Sequence, residues 1–158
     1  MNSFESLIAD FSAQTGLNLV PDERQGCFLE NEGIVITIQY LQEADEVVIF
    51  APVTDPDSGT TLTKAMYEKA LSLSYDGRGT SGASLGLFDD NLILSVHLPM
   101  EGLDASALGT KLLAFTDAAV SVRAEIASAD NGAASDEPEG GDKTSFPASD
   151  DLSNLIRV

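Results

Sequence analysis

The densest run of hydrophobic residues lies in residues 33–52 and predicts a β-hairpin. Large apolar residues occupy every second position of its first half, so one face of that strand is apolar and the other is mixed. The apolar face carries Ile34, Ile36, Ile38 and Tyr40. A polar turn at residues 42–46 leads to the return strand, 47–51. Because a two-stranded ribbon is only marginally stable in water, the hairpin needs a further strand or a covering helix.

Three other segments show the spacing of amphipathic helices, at residues 3–15, 61–74 and 105–128. After the first of them, Gly16 stands where a helix end favours a left-handed residue. Asp104 is the predicted cap of the last helix. The apolar seam of that helix consists of Leu108, Leu112, Phe115, Ala119, Val122 and Ile126. Because the seam is shorter than three heptads, we expect it to pack on the chain's own sheet rather than in a coiled coil.

The remaining strands complete an antiparallel arrangement. A short strand, 26–30, enters the central hairpin through the turn at 31–33. A second hairpin is predicted from strands 83–88 and 92–98, joined at 89–91. The order is then α-β-β-β-α-β-β-α. Grouped strands of this kind predict the α+β class, with helices packed against an antiparallel sheet.

Charge and composition narrow the list of partners. The chain has 158 residues and a net charge of −18, so we expect neither nucleic acids nor anionic membranes to bind it. Its length supports one domain with a substantial core. Residues 129–151 are rich in small, polar and acidic side chains, with Phe146 as their one large apolar group. We therefore predict a domain of residues 1–129 followed by an acidic, disordered tail, 130–158.

Residues that usually carry catalysis are scarce. The single histidine, His97, and the single cysteine, Cys27, lack the sequence neighbours that a base, a nucleophile or a metal site requires. The acidic loop that begins at residues 54–60 matches a calcium-binding loop poorly, because two of the positions that should supply ligands lack a suitable oxygen. The glycine-rich residues 76–82 lack the lysine of a phosphate loop. We predict no enzymatic activity, no cofactor and no metal. We also expect a cytoplasmic location, since no signal-like segment or bilayer-length apolar run is present.

Six segments resemble a known family. They read FESLIADFSAQTGL, GIVITIQY, VVIFAP, TLTKAMYEKAL, ASLGLFDDNLILSVHLP and LLAFTDAAVSV. They resemble class I type III secretion chaperones of the CesT/Tir chaperone family, and the resemblance covers residues 3–128. The resemblance implies a small acidic homodimer in the bacterial cytoplasm. Such a dimer binds one effector, keeps its N-terminal region unfolded and delivers it to the secretion ATPase. The tail is longer and more acidic than the family leads one to expect.

The resemblance also implies where a client binds. In the family, the effector segment is extended, fills grooves between the first helix and the sheet, and often adds a strand at a sheet edge. The implied groove residues are Phe4, Leu7, Phe11, Phe28, Leu29, Ile36, Ile38 and Ile49. The family dimer forms through the second helix and the fourth strand. The implied interface residues are Leu62, Met66, Leu73, Leu85 and Leu87. If Phe11 lines the groove, Phe11→Asp leaves the fold intact and abolishes effector binding.

Two other interpretations stay open at this point. The first is a regulatory or protein-binding module of the same fold without a role in secretion, as in YbjN-like proteins. The second is a small hydrolase or metal-dependent enzyme that uses the acidic turns. A neighbouring gene for a large effector would favour the chaperone over the first, and metal titration without a change in thermal midpoint would argue against the second.

Overall fold

The computed structural model of the protein describes residues 4–55, 59 and 61–133. Its helices and strands are, in chain order, α1 (Phe4–Thr15), β1 (Gly26–Asn31), β2 (Ile34–Leu41), β3 (Glu46–Pro52), α2 (Lys64–Ser74), β4 (Ser84–Phe88), β5 (Asn91–Pro99) and α3 (Ala105–Ala133). The order and type of these elements match the sequence prediction. The α+β class is therefore confirmed.

The five strands of the described residues belong to one antiparallel sheet in the order β1-β2-β3-β5-β4. The central strand is β3, where Ile49 pairs with Ile38 of β2 on one side and with Val96 of β5 on the other. The second hairpin thus extends the meander through β5. As a result, β1 and β4 form the two edges of the sheet.

Two tight turns fix the register of the hairpins. Glu32 and Gly33 join β1 to β2 with φ angles of 50° and 73°, and Asp89 and Asp90 join β4 to β5 with φ angles of 46° and 59°. Positive φ at both central residues gives a turn whose twist matches that of the flanking strands. Both turns lie where the sequence predicts them.

The core lies between the helices and one face of the sheet. In β2 the residues Ile34, Ile36 and Ile38 are buried, whereas Val35 and Leu41 are exposed, as the alternating pattern predicts. The predicted seam of α3 is buried in full and consists of Leu108, Leu112, Phe115, Ala119, Val122 and Ile126. These residues share one core cluster with the buried face of α1. The seam therefore packs within the chain, as expected for a helix that covers its own sheet.

A glycine lets α1 and α3 approach each other closely. A Cβ atom at Gly109 of α3 would lie 3.3 Å from the Phe11 ring of α1, tighter than an ordinary van der Waals contact. Phe4, at the other end of α1, stacks on Tyr40 of β2 with 5.8 Å between the ring centroids. The apolar face of α1 is thus held between α3 and the sheet.

The second helix begins later than predicted. Thr63 is its N-cap residue, because the Thr63 Oγ1 atom accepts a hydrogen bond of 3.3 Å from the backbone N–H of Met66. Residues 61–62 therefore precede α2 instead of opening it.

The third helix begins as predicted and continues further. Asp104 Oδ1 accepts a hydrogen bond of 2.8 Å from the backbone N–H of Ala107, which confirms the predicted cap. The helix ends at Ala133, five residues beyond the predicted end and past the predicted domain boundary. Residues 134–158, most of the predicted tail, lie outside the described ranges. Among the described helices, none combines the length and the apolar composition needed to cross a membrane.

Candidate functional site

The face of the sheet opposite the helices, called here the outer face, carries an apolar band. Cross-strand register places Phe28 of β1, Thr37 of β2, Phe50 of β3 and Ser95 of β5 in one row across the sheet. Val35 lies diagonally from Phe28 on this face. Beyond β3, the outer face continues across the second hairpin, which consists of β4 and β5. We define the apolar band as Phe28, Val35, Phe50, Phe88 and Ile93.

The band remains open to solvent in the described chain. Phe28 and Phe88 expose 72% and 70% of their surface, and Val35 exposes 46%. Phe50 and Ile93 are half-buried and line a cavity of about 340 Å³ with Gly86 of β4. A Cβ atom at Gly86 would meet nothing within 4 Å, so this glycine leaves the depression open. The outer face can therefore accept apolar side chains of a partner.

The band ends at a free sheet edge. Within the described part of the chain, β1 pairs with β2 alone. At its start, Gly26 accepts a hydrogen bond from the backbone N–H of Asp22 and donates one to Asp22 Oδ1. The rest of the strand, including Phe28, presents an edge to which an extended peptide can add as a further strand.

The structure places six of the implied groove residues in the core, which corrects the expectation that they line an open groove. These are Phe4, Leu7, Phe11, Ile36, Ile38 and Ile49, all at most 3% exposed. The physical reason is that α1 and α3 cover the most apolar face of the sheet. Leu29 is half-buried against the core, and Phe28 alone of the eight points to the outer face with high exposure. A role in binding stays a prediction, centred on Phe28.

Four members of the apolar band were missed by the sequence prediction. They are Val35, Phe50, Phe88 and Ile93. The sequence did contain a signal for Val35, because strand alternation places this residue on the less apolar face of its strand. Only the position of the helices shows that this less apolar face is the open one.

The implied dimer residues have mixed environments. Met66 is buried, Leu62, Leu73 and Leu85 are half-buried against the core, and Leu87 is exposed. Beside them lies an exposed row, called here the α2 stripe, which consists of Tyr67 and Leu71 of α2 and its C-cap residue Tyr75. Their spacing of four residues places them on one side of the helix.

A third feature is an acidic cavity of about 780 Å³ near the start of α1 and the start of α3. Its lining includes Glu5, Asp45 and Glu101, together with the ring of Tyr40. The Tyr40 hydroxyl donates a hydrogen bond of 2.8 Å to Asp45, and this bond raises the pKa of Tyr40 above its usual value. The negative lining would favour cationic groups.

In the described part of the chain, neither His97 nor Cys27 lies in an arrangement that would activate it for catalysis. His97 lies on the outer face with its Nδ1 atom 2.9 Å from Glu46 Oε2. Cys27 is buried, and burial together with the nearby Asp22 carboxylate raises the pKa of its thiol to about 11. A thiol with this pKa is protonated at neutral pH and is a poor nucleophile.

Comparison with solved structures identifies the fold. The HopA1-SchA chaperone-effector complex contains a chain that is 16% identical, with a TM-score of 0.59, and the match covers 76% of this chain and 92% of that one. The Yersinia pestis type III secretion chaperone SycH, solved with a stable fragment of YscM2, gives 20% identity, a TM-score of 0.58 and coverage of 76% and 99%. An uncharacterized protein from Methanothermobacter thermautotrophicus is 18% identical to this chain, with a TM-score of 0.57. The match covers 80% of this chain and 98% of that one. The chain therefore has the fold of type III secretion chaperones, which the Methanothermobacter thermautotrophicus protein shares.

The sequence itself assigns the family. The model of the Tir chaperone protein (CesT) family matches residues 6–123, and the chain belongs to this family. None of the curated protein sequences compared with the chain matches it. The resemblance noted from the sequence segments is thereby confirmed.

Proposed function

We propose that the protein is a type III secretion chaperone that binds the extended N-terminal segment of an effector on its outer face, in the bacterial cytoplasm. The observation that carries this proposal is the apolar band, which crosses the sheet on a face that the core-forming helices leave open. Membership of the Tir chaperone protein family supports the class of client.

The band offers enough apolar surface to hold an extended peptide. Full burial of a side chain such as Phe28 or Val35 contributes about 1.5–3 kcal/mol relative to leaving it exposed. Several such contacts can exceed the entropic cost of ordering the bound segment. The resulting affinity does not require one particular client sequence. The bound segment stays unfolded because its own apolar side chains are occupied by the sheet.

Strand addition at β1 supplies the second part of the binding energy. A client strand beside β1 makes backbone hydrogen bonds that are independent of its sequence. Alternate side chains of that strand then point to the outer face, next to Phe28. Selectivity comes from these side chains, and solubility comes from the chain's net charge of −18.

The outer face also favours basic residues in the client. Its described strand positions include the carboxylates of Glu30 and Glu46, whereas Lys and Arg are absent from those positions. A client with lysine or arginine beside its apolar residues would associate faster, and the rate would fall as salt is added.

We further propose that the functional unit is a homodimer that delivers the client to the secretion ATPase. The α2 stripe supports this, since Leu71 exposes 73% and Tyr75 exposes 90% of its surface. Helix α2 contacts β4, whose Leu87 is also exposed, so the two elements offer exposed apolar side chains to a second copy of the chain. Leu71→Asp is expected to shift the protein towards monomer in analytical ultracentrifugation.

Capture of the client with matched variants tests the proposal. Phe28→Asp changes the apolar band, whereas Leu113→Asp changes an equally exposed residue of α3, at 67% against 72%. Tagged wild-type protein and Leu113→Asp should capture the same secreted protein from a secretion-competent cell, bound through its N-terminal segment. Phe28→Asp should capture at least about ten times less, corresponding to the loss of about 1.4 kcal/mol.

Two outcomes would contradict the proposal. Equal capture by Phe28→Asp and wild type would exclude the outer face as the binding surface. Capture of a partner that the secretion apparatus does not export would instead favour a binding module of the same fold, for which the Methanothermobacter thermautotrophicus structure is a precedent in fold alone.

A further inference from the structure

The last seven residues of the chain differ in composition from the tail that precedes them. Residues 152–158 read LSNLIRV and contain four large apolar side chains, whereas the 18 residues 134–151 contain one, Phe146. The 18-residue stretch is rich in Gly, Ser, Ala, Pro and acidic residues, which is a composition typical of linkers. Residues 134–158 therefore combine a polar stretch, 134–151, called here the tether, with an apolar segment, 152–158.

The tether starts beside the end of β3. The C-terminal part of α3, at Asp130 and Asn131, lines a cavity of about 280 Å³ together with Val53 and Thr54, which follow β3. The last residue of β3, Pro52, pairs with Ile93 of the apolar band. The end of α3 thus lies beside the end of β3, next to the pair of Pro52 and Ile93.

The tether is also long enough. A flexible linker of 18 residues has a root-mean-square span of roughly 25 Å. Five strands are about 20 Å wide from one edge to the other, because neighbouring strands lie about 4.8 Å apart. Every member of the apolar band is therefore within reach of residues 152–158.

The chemistry of the segment matches that of the face. Leu152, Leu155 and Ile156 supply apolar side chains for the band, and Arg157 supplies the one positive side chain of the segment. On the outer face, Glu30 pairs with Val35 in the register of β1 and β2, and its carboxylate can form an ion pair with Arg157. The acidic cavity near α1 would also favour Arg157, but carboxylates are interspersed with its apolar lining, whereas apolar side chains dominate the cavity beside Gly86.

We propose that residues 152–158 dock on the outer face of their own chain and cover the apolar band until a client displaces them. A tethered segment has an effective concentration of about 1 mM, so even a weak contact is substantially populated. The displacement step rests on the proposed chaperone function, whereas the docking step does not. The segment would thereby act as an internal substitute for the client and keep the empty protein soluble.

Methyl NMR of the full chain tests the docking step. L155D/I156D introduces two charges into the segment, and the matched control A134D/A148D introduces the same two charges into the tether. The double change at 155 and 156 should shift the methyl signals of Val35 and Ile93, which lie on the outer face. Signals of the buried Ile36 and Ile49 should not move, and A134D/A148D should leave all four as in wild type.

A peptide added in trans makes the test reversible. A synthetic peptide of residues 149–158, added to the L155D/I156D chain, should return the Val35 and Ile93 signals towards their wild-type positions at millimolar concentration. Unchanged outer-face signals in L155D/I156D would overturn the proposal. Outer-face signals that change with protein concentration, equally in wild type and L155D/I156D, would also overturn it, since a second copy would then be the occupant.

Client affinity separates this proposal from the proposed function. A segment that covers the face about 90% of the time weakens client binding about tenfold, so L155D/I156D should bind an effector segment about ten times more tightly than wild type. Equal affinity of the two would overturn the displacement step. If neither protein binds any effector segment while the NMR shifts are observed, the chaperone function fails and the docking step stands.

Discussion

Phe11 and Phe28 are the same side chain in opposite environments, 3% and 72% exposed. Phe11→Ala should lower the free energy of unfolding by about 3–5 kcal/mol, because it leaves a cavity between α1 and α3. Phe28→Ala should change it by less than about 1 kcal/mol, the range of strand propensity at an exposed site. Urea denaturation of both variants measures the difference. Equal destabilisation would mean that Phe28 also belongs to the core.

The same contrast changes the expected behaviour of Phe11→Asp. A carboxylate at this buried position would have no partner, and desolvation without a partner is costly. We now expect the substitution to unfold the domain rather than to remove binding alone. Phe28→Asp takes its place as the variant that separates binding from folding.

Cys27 gives the protein a pH dependence of known sign. Its folded pKa is about 11, whereas an exposed thiol titrates near 9.0. The stabilising effect of the neutral thiol is fully present below about pH 9, because both states are then protonated. Above that pH the unfolded chain ionises first, so stability falls until the folded thiol also ionises near pH 11.

Comparison with Cys27→Ala measures this effect against the background of other titrating groups. Wild type should lose more stability between pH 9 and 11 than Cys27→Ala does, in denaturation experiments at each pH. Identical slopes for the two proteins would show that the thiol is already accessible in the folded state.

Individual residues also show where sequence reasoning was sufficient and where it was not. Alternation in β2 and the seam of α3 correctly separated inward from outward positions, since both depend on local periodicity. The same periodicity could not show which face of the sheet stays open. The family resemblance implied Ile36 and Ile49 as groove residues, yet the helices bury that face because it is the most apolar.

At the scale of elements, the connection from α2 to β4 depends on a small residue. A Cβ atom at Gly79 would lie 2.8 Å from the carbonyl oxygen of Leu73 and 2.9 Å from its Cδ2 atom. Gly79→Ala should therefore destabilise the protein by about 1–3 kcal/mol, because the end of α2 must shift to admit the methyl group.

Gly86 of β4 provides the matched control. A Cβ atom there would meet nothing within 4 Å, and alanine restricts the unfolded chain more than glycine does. Gly86→Ala should leave the thermal midpoint unchanged or raise it slightly. A lower midpoint for Gly86→Ala than for Gly79→Ala would show that the two glycines have been assigned the wrong roles.

Element boundaries could be predicted to within a few residues, and the reasons for the differences are local. Helix α2 starts at Lys64 rather than at the predicted residue 61, because Thr63 is its N-cap residue. The strand order could not be read from the pattern, since pairing of β5 with β3 depends on tertiary packing. That pairing decides which strands are edges, and so it decides where a client strand can add.

At the scale of the whole molecule, the apolar residues divide into a covered face and an open one. The helices seal one side of the sheet, and the apolar band remains on the other. Net charge of −18 keeps a protein with such a surface soluble, and the α2 stripe offers a separate surface for self-association. Under the proposed function, folding, association and client binding use different sets of apolar residues.

The most direct test of the proposed binding face is amide hydrogen exchange of the full chain with and without its captured client segment. Bound client should slow exchange in β1, where a strand adds, and protect Phe28 and Val35 next to it. The α2 stripe and the acidic cavity should show no such change. Protection confined to α2 or to the cavity, with β1 exchanging as in the free protein, would contradict the account.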